Sequence, residues 1–398
     1  MSCKIYAPDG YKKYFEKETR NQSIVSGLPI DDIHRGIIAV DARDHGFGVF
    51  DENRQFVKSS LQIRKDRGQF IPKLPKDIPY VDEDVLYFGN VYPSFGHFLL
   101  EHMNRAWGWL RDEYKHCKVV LVNNQQLEKV PGYIFALVQA LGVKQEDVIV
   151  LKTTMQFRRV IIPHQGFNIP LSASVEFGEA FSAMADNAFG PSYDKVYVSR
   201  DKLKDRRTYG ETKIQQIFEK NGFQVIYPET LPLQEQIAAV KNCRMLAGCA
   251  GTALHLALFM PRGGTVIQLK RNSENHDNGP VQYLINNSLD LDSVYVAPSI
   301  EEAPTAHFTN APQIIAVNQY MKQFFDDFGF EYSDDDLLPD TAAIAEYRAA
   351  MVEYQKQGGT VRMNKIKHAI IKYTACLIPG RERRGRYRAY MKRRFVAK

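Results

Sequence analysis

The sequence predicts an α/β protein built as two domains with a basic helical tail. Three observations carry that prediction. Short runs of Val, Ile and Leu alternate with helical segments between Val85 and Ala297, small residues and prolines punctuate the joins, and the charge divides sharply near residue 361. Strands alternating with helices imply parallel sheets covered on both faces. At 398 residues, 44% apolar and 25% charged, the chain has material for two cores, which excludes disordered and fibrous classes.

Residues 1–170 read as the first domain. It opens with a lead-in containing one hairpin, Gly36 to Asp41 and Phe47 to Phe50, turning through Arg43-Asp44-His45-Gly46. A strand at Val85 to Phe88 leads into a helix expected from Phe95 to Leu110. Strand Lys118 to Val122, helix Gly132 to Leu141, and strands Asp147 to Leu151 and Phe157 to Pro163 complete it. A helix from about Ala173 to Ala188 leads across to a second domain, 190–305. There the order is strand Lys195 to Ser199, helix Thr212 to Asn221, strand Gln224 to Tyr227, a helix opening at Gln234-Glu235-Gln236, strand Arg244 to Ala247, helix Thr252 to Met260, strand Thr265 to Leu269, helix Pro280 to Asn286 and strand Asp292 to Ala297. Two further helices are expected within 306–360, crossing back to the first domain, before the tail 361–398.

Two stretches carry chemistry. In KNCRMLAGCAGTALHLALFMPRGGTVIQL, Lys241 to Leu269, a strand ends in Gly248-Cys249-Ala250-Gly251, residues too small to block a ligand, and a helix starts at Thr252. Unpaired amides and the positive dipole end favour an anion there, Thr252 adds a hydroxyl, and His255 faces the same side one turn on. The same pattern also fits an ordinary strand, turn and buried helix whose glycines serve packing. In the Phe95 helix, His97 and Glu101 are four apart, on one face near a strand's carboxyl end. That pair suits a general base with its partner, or equally a satisfied histidine beside a solvated charge.

Arg200, Lys202, Arg206 and Arg207 form a basic cluster after a strand, suited to a diphosphate or to solvent alone. Glu229 stands where an acid could bind ribose hydroxyls or a base, and Glu235 either does the same or complements the dipole of its helix. Asp334-Asp335-Asp336 and Asp290-Leu291-Asp292 hint at a metal site; the first is better explained as a helix cap and the second as a strand start, so no metal is assigned.

The order G-x-x-G-T-A-L-H-x-A-L-F-M, preceded by P-E-T-L-P-L-Q-E-Q (Pro228 to Gln236), Y-V-S-R (Tyr197 to Arg200) and R-R-T-Y-G-E (Arg206 to Glu211), resembles glycosyltransferase family 61 over roughly residues 85–270. Family members often carry His in the glycine turn where this chain has Ala250, and Asn beside the Glu where it has Gly210; His255 is closer to the bacterial branch. The resemblance implies the GT-B architecture, two Rossmann-like domains facing across a cleft with the nucleotide on the second, and no cofactor or metal. It implies an inverting transferase taking a sugar from a nucleotide-sugar, most simply a UDP-sugar, to a growing surface glycan such as a capsular polysaccharide. It also implies roles: His97 and Glu101 catalytic, and Arg200, Arg206, Arg207, Glu229, Glu235, Gly251, Thr252 and His255 in donor binding. Two other functions stay open, a non-catalytic nucleotide-sugar or glycan-binding scaffold and a sugar-nucleotide epimerase.

Composition bounds the setting. Five scattered cysteines without a C-x-x-C pair suit a reducing compartment, and neither an apolar signal core nor a stretch of ~18 apolar residues is present, so a cytoplasmic protein is expected. From Arg362 to Lys398 thirteen Lys and Arg face one acid, Glu382; the tail carries +12 and, with +6 overall, the body carries −6. Basic residues interleaved with Met363, Ile366, Ile370 and Tyr373 suit an anionic membrane surface on the inner face of the cell membrane. The acidic body continues no basic groove, which argues against nucleic acid.

Overall fold

The computed structural model describes residues 2–63, 70–203, 207–271, 279–298 and 311–356. Arg206 and the basic tail 362–398 lie outside the described residues. Two sheets organise the chain. The first runs Gly46–Phe50, Ile37–Asp41, Met155–Pro163, Tyr80–Asn90, Lys118–Val122, Val148–Leu151, with Ile30–His34 also paired to Met155–Pro163. Its last four strands are parallel and the N-terminal three join antiparallel. The second is wholly parallel: Cys3–Tyr6, Asp292–Val296, Thr265–Leu269, Met245–Cys249, Lys195–Val198, Gln224–Ile226.

The alternation within each strand shows why these runs are strands and where their faces go. Leu86 and Phe88, Val119 and Leu121, Val196 and Val198, Leu246 and Val266 all enter one continuous buried cluster. Their neighbours Val85, Tyr87, Val120 and Val122 face a separate cluster on the far side of the first sheet, and Tyr197, Ala247, Ile267 and Val294 face another on the far side of the second. Between the sheets the shared cluster is filled by helices Gly132–Ala140, Val175–Asp186, Leu233–Val240 and Thr252–Phe259. Ser174 caps the second of these, its hydroxyl accepting from the Phe177 amide.

The termini depart from the expected division. Cys3–Tyr6, placed by the sequence in the first domain, is an edge strand of the second sheet, and helix Asp9–Thr19 buries Tyr11 and Phe15 against Tyr283 and Tyr295 there. The chain returns through Gly27 and Leu28, whose amides donate to buried Glu176. Helices expected to cross back to the first domain stay with the second instead. Gln319–Phe328 carries Met321, Phe324 and Phe325 on one stripe, and these cover the outer face of the second sheet with Phe218. Helix 341–356 seats Tyr347 on Ile314 and Tyr209. Ser333 caps Asp334–Leu337 through a reciprocal bond with Asp336, which also binds Lys220, so the acidic triplet is engaged in capping.

The helix expected from Phe95 to Leu110 is broken. Phe95–His97 is α-helical, Phe98–His102 is π-helical with the Met103 amide reaching back to the Phe98 carbonyl at 2.9 Å, and Ala106–Leu110 is 3₁₀. Two glycine contacts hold the ends: a Cβ on Gly96 would stand 2.8 Å from Thr252 Cγ2, and one on Gly108 2.3 Å from Pro163 Cγ. Arg105 and Trp107 fix the middle by donating to the Ser59, Leu61 and His164 carbonyls. Tertiary anchors thus override uniform winding.

Because one cluster joins both sheets, a cavity in it weakens the whole body. Phe181, fully buried and edge-on to Phe177 and Phe259, is expected to cost about 3–5 kcal/mol in urea denaturation when replaced by Ala. Phe189→Ala, at a side chain 73% exposed, is the control and is expected to stay within about 0.5 kcal/mol.

Candidate active site

Three adjacent parallel strands deliver the anion-binding candidates at their carboxyl ends, the edge of an open α/β sheet where ligands bind. Lys195–Val198 leads to Arg200, Met245–Cys249 to Gly251 and Thr252, and Thr265–Leu269 to Arg271. Gly251 has φ 152, and a Cβ there would lie 3.2 Å from Arg200 Nη1 and 3.6 Å from Arg271 Nη2, so the two guanidiniums flank its backbone. Arg271 Nε donates to the Ala250 carbonyl at 2.6 Å, fixing one of them against the turn. The helix after the turn, Thr252–Phe259, is 3₁₀ throughout, not the expected α-helix; at three residues per turn His255 eclipses Thr252. From Leu254 to Phe259 it is buried all round, which is why it is apolar on almost every face, while Thr252 at its start is exposed.

Beneath the turn lies Glu211, the first residue of helix Glu211–Lys220 and fully buried. Its Oε1 accepts from the Arg200 amide at 3.1 Å and from the Tyr197 hydroxyl at 3.2 Å, while Oε2 has no hydrogen-bond donor of its own. Burial pushes its carboxyl up to about 7, against the pull of the Arg200 amide and the charges of Arg200 and Arg271. The buried Cys249 thiol beside it is raised well above its usual range for the same reason.

The opposing wall is the broken helix. With only hydrogen on Gly96, its backbone closes on the Thr252 side chain and brings His97 to the turn. His97 Nδ1 bonds Glu101 Oε1; the imidazole is 42% exposed and the carboxylate 11%. Gln62 and Asn104 both donate to the Glu101 carbonyl, and Tyr92, stacked on buried His102, meets His97 edge-on at 5.5 Å. His255 is buried with Nδ1 3.1 Å from Gln282 Oε1, and burial first, then the charge of His97, keeps its pKa low, at about 4.

The structure therefore brings His97, Glu101, Arg200, Gly251, Thr252 and His255 together. Arg207 is directed elsewhere: it pairs with Asp201 at 3.6 Å and Glu346 at 3.2 Å and lies over Tyr209. Glu229 is exposed in the turn Pro228–Thr230, and Glu235 lines a separate concavity of about 220 Å³ beside the edge strand Gln224–Ile226 with Tyr193 and Tyr227. Arg271 and Glu211 were missed. Arg271 sits past its strand as Arg200 sits past its own, a signal visible only once the strands are known to be neighbours; Glu211 lay in a quoted block without a role.

The shift of Glu211 fixes a pH dependence. Its carboxyl stays neutral in the fold up to about 7, while an unfolded one ionises near the ordinary 4.5. Its stabilising contribution is full below 4.5 and lost as pH rises to 7. Glu211→Gln is therefore expected to remove a decline of roughly 3 kcal/mol across that window, read from thermal unfolding of both proteins at several pH values.

Residues 95–267 match the family model Glycosyltransferase 61. No curated protein matches the chain. The matched stretch runs from the start of the broken helix to the strand leading to Arg271 and contains the glycine turn, Arg200 and the His97–Glu101 pair. Over those residues the chain is similar to glycosyltransferase family 61, and the match supports a glycosyltransferase.

Proposed function

We propose that the protein is an inverting transferase of GT-B type that moves a sugar from a nucleotide diphosphate donor, a UDP-sugar, to a growing bacterial surface glycan such as a capsular polysaccharide. The observation that carries this reading is the closure of Gly96 on Thr252, which sets an imidazole–carboxylate pair against a turn flanked by two guanidiniums. The second sheet and its turn hold the donor, and the wall from the first sheet faces the acceptor. Arg200, Arg271 and the first-turn amides of the Thr252 helix meet the leaving diphosphate; these cations and dipoles supply the positive charge the departure requires, so the reading needs no metal. Thr252 adds a hydroxyl, and the residues 362–398 place the enzyme on the anionic inner face of the cell membrane.

The His97–Glu101 bond supports a division of roles. A largely enclosed carboxylate accepts Nδ1–H and holds the ring, leaving Nε2 of the exposed imidazole to take the acceptor hydroxyl proton as the sugar bond forms. His97 is the base and Glu101 orients it.

His97→Ala is expected to lower transfer by about 10²–10⁴-fold while leaving donor affinity unchanged, checked by sugar transfer and by calorimetric donor binding on the same preparation. Turnover retained at the native rate removes His97 from the mechanism. The absence of slow UDP release from every member of a UDP-sugar panel favours the scaffold over the enzyme.

A further inference from the structure

The burial of Glu211 under the turn raises a question of charge. A carboxylate placed beneath an anion site opposes the anion, yet this one is fully enclosed and held by two donors, the Arg200 amide and the Tyr197 hydroxyl. The groups facing it are Tyr197 from its own sheet, Cys249 from the next strand, and Arg200 and Arg271 from the loops at the strand ends. The only formal charges among them are the two guanidiniums that flank Gly251. One carboxyl oxygen, Oε2, has no hydrogen-bond donor of its own, and the buried Nε–H of Arg200 has no acceptor.

We infer that Glu211 is the positioning residue of the donor site: its carboxylate holds the Arg200 loop through the Arg200 amide and lies in the field of both guanidiniums, and it takes up a proton when a nucleotide diphosphate claims them. This deepens the donor-site reading above and rests on it. The physical chain is short. A diphosphate beside Gly251 brings two negative charges close to the buried carboxylate and engages the cations that had stabilised it; both effects favour the neutral acid. The proton comes from the buffer, no covalent bond changes, and Oε1 keeps its two donors in either state. With its carboxyl titrating at about 7 in the free protein, the exchange falls in the ordinary working range. Linkage then makes donor affinity fall as pH rises through 7.

The test is calorimetric titration of the full chain with UDP-glucose, GDP-mannose and dTDP-glucose at pH 7, in buffers of different ionisation enthalpy. These diphosphate diesters have no titrating phosphate near pH 7, so any proton exchange belongs to the protein. The expected result is uptake of about half a proton at pH 7, with affinity weakening about tenfold between pH 6 and 8. Glu211→Gln keeps an oxygen for the Arg200 amide and carries no titrating carboxyl, so it is expected to lose both the uptake and the pH dependence. Binding without buffer dependence in the native chain, a result that needs no variant, overturns the inference and leaves the donor site standing. Uptake that persists unchanged in a folded Glu211→Gln protein also overturns it. Failure of all three probes to bind overturns the donor-site reading, and this inference with it.

Discussion

The approach of Gly96 to Thr252 is the constraint on which the site depends. A single added carbon on Gly96 would come within 2.9 Å of the threonine hydroxyl as well as its methyl, so the wall bearing His97 can reach the turn only where the backbone is bare. The break in the helix follows from it. A regular α-helix from Phe95 would have to satisfy the Gly96 contact at one end and the Gly108 contact with Pro163 at the other, with Arg105 and Trp107 anchored between them. The π-turn at Phe98–His102 and the 3₁₀ turns beyond it take up the difference in winding. Such a turn still leaves His97 and Glu101 on one side, bonded to each other.

A second constraint is that a single apolar cluster serves both sheets. The helices between them are shared, and the Thr252 helix is buried by contacts from both directions. Residues set on such an element have little freedom, which suits a site that must hold charged groups in fixed positions. It also explains the burial of His255. On a 3₁₀ helix the residue three after Thr252 returns beneath it, and the chain of bonds from His255 through Gln282 and Asn286 to Ser293 gives that ring and both amides partners within the core.

Much of this was legible in the sequence, and the failures share a cause. Strand runs such as Lys118 to Val122 and Thr265 to Leu269 declare themselves by composition, and the structure has them at the same positions. The Phe95 and Thr252 segments did not declare their winding, because glycine and apolar periodicity record burial and not the distance to a neighbour. The N-terminal residues were counted with the first domain for a related reason: Cys3 to Tyr6 is an edge strand whose ladder partner among the described residues, Asp292–Val296, lies at the far end of the second half. Arg200 was found from a block, whereas Arg271 required knowing that Lys195–Val198 and Thr265–Leu269 flank the same strand. Arg207 shows the converse. A basic residue in a basic cluster is turned aside by Asp201 and Glu346, one of them 139 positions away.

The departure at Gly210 has a backbone explanation. Gly210 sits at φ 77, where Asn is tolerated better than most residues, so conformation alone does not demand glycine. Space does: a Cβ there would lie 2.1 Å from the Ile315 carbonyl oxygen. That oxygen is held by the parallel pairing of Thr208–Tyr209 with Gln313–Ile314 and by the Ile315 amide donating to the Tyr209 carbonyl. The pairing lays 311–316 over the start of the Glu211 helix, and only glycine fits beneath it. The missing side chain at 210 is thus the consequence of how the C-terminal segment docks, and it leaves Glu211 buried at the base of the turn, bonded to Arg200 and Tyr197.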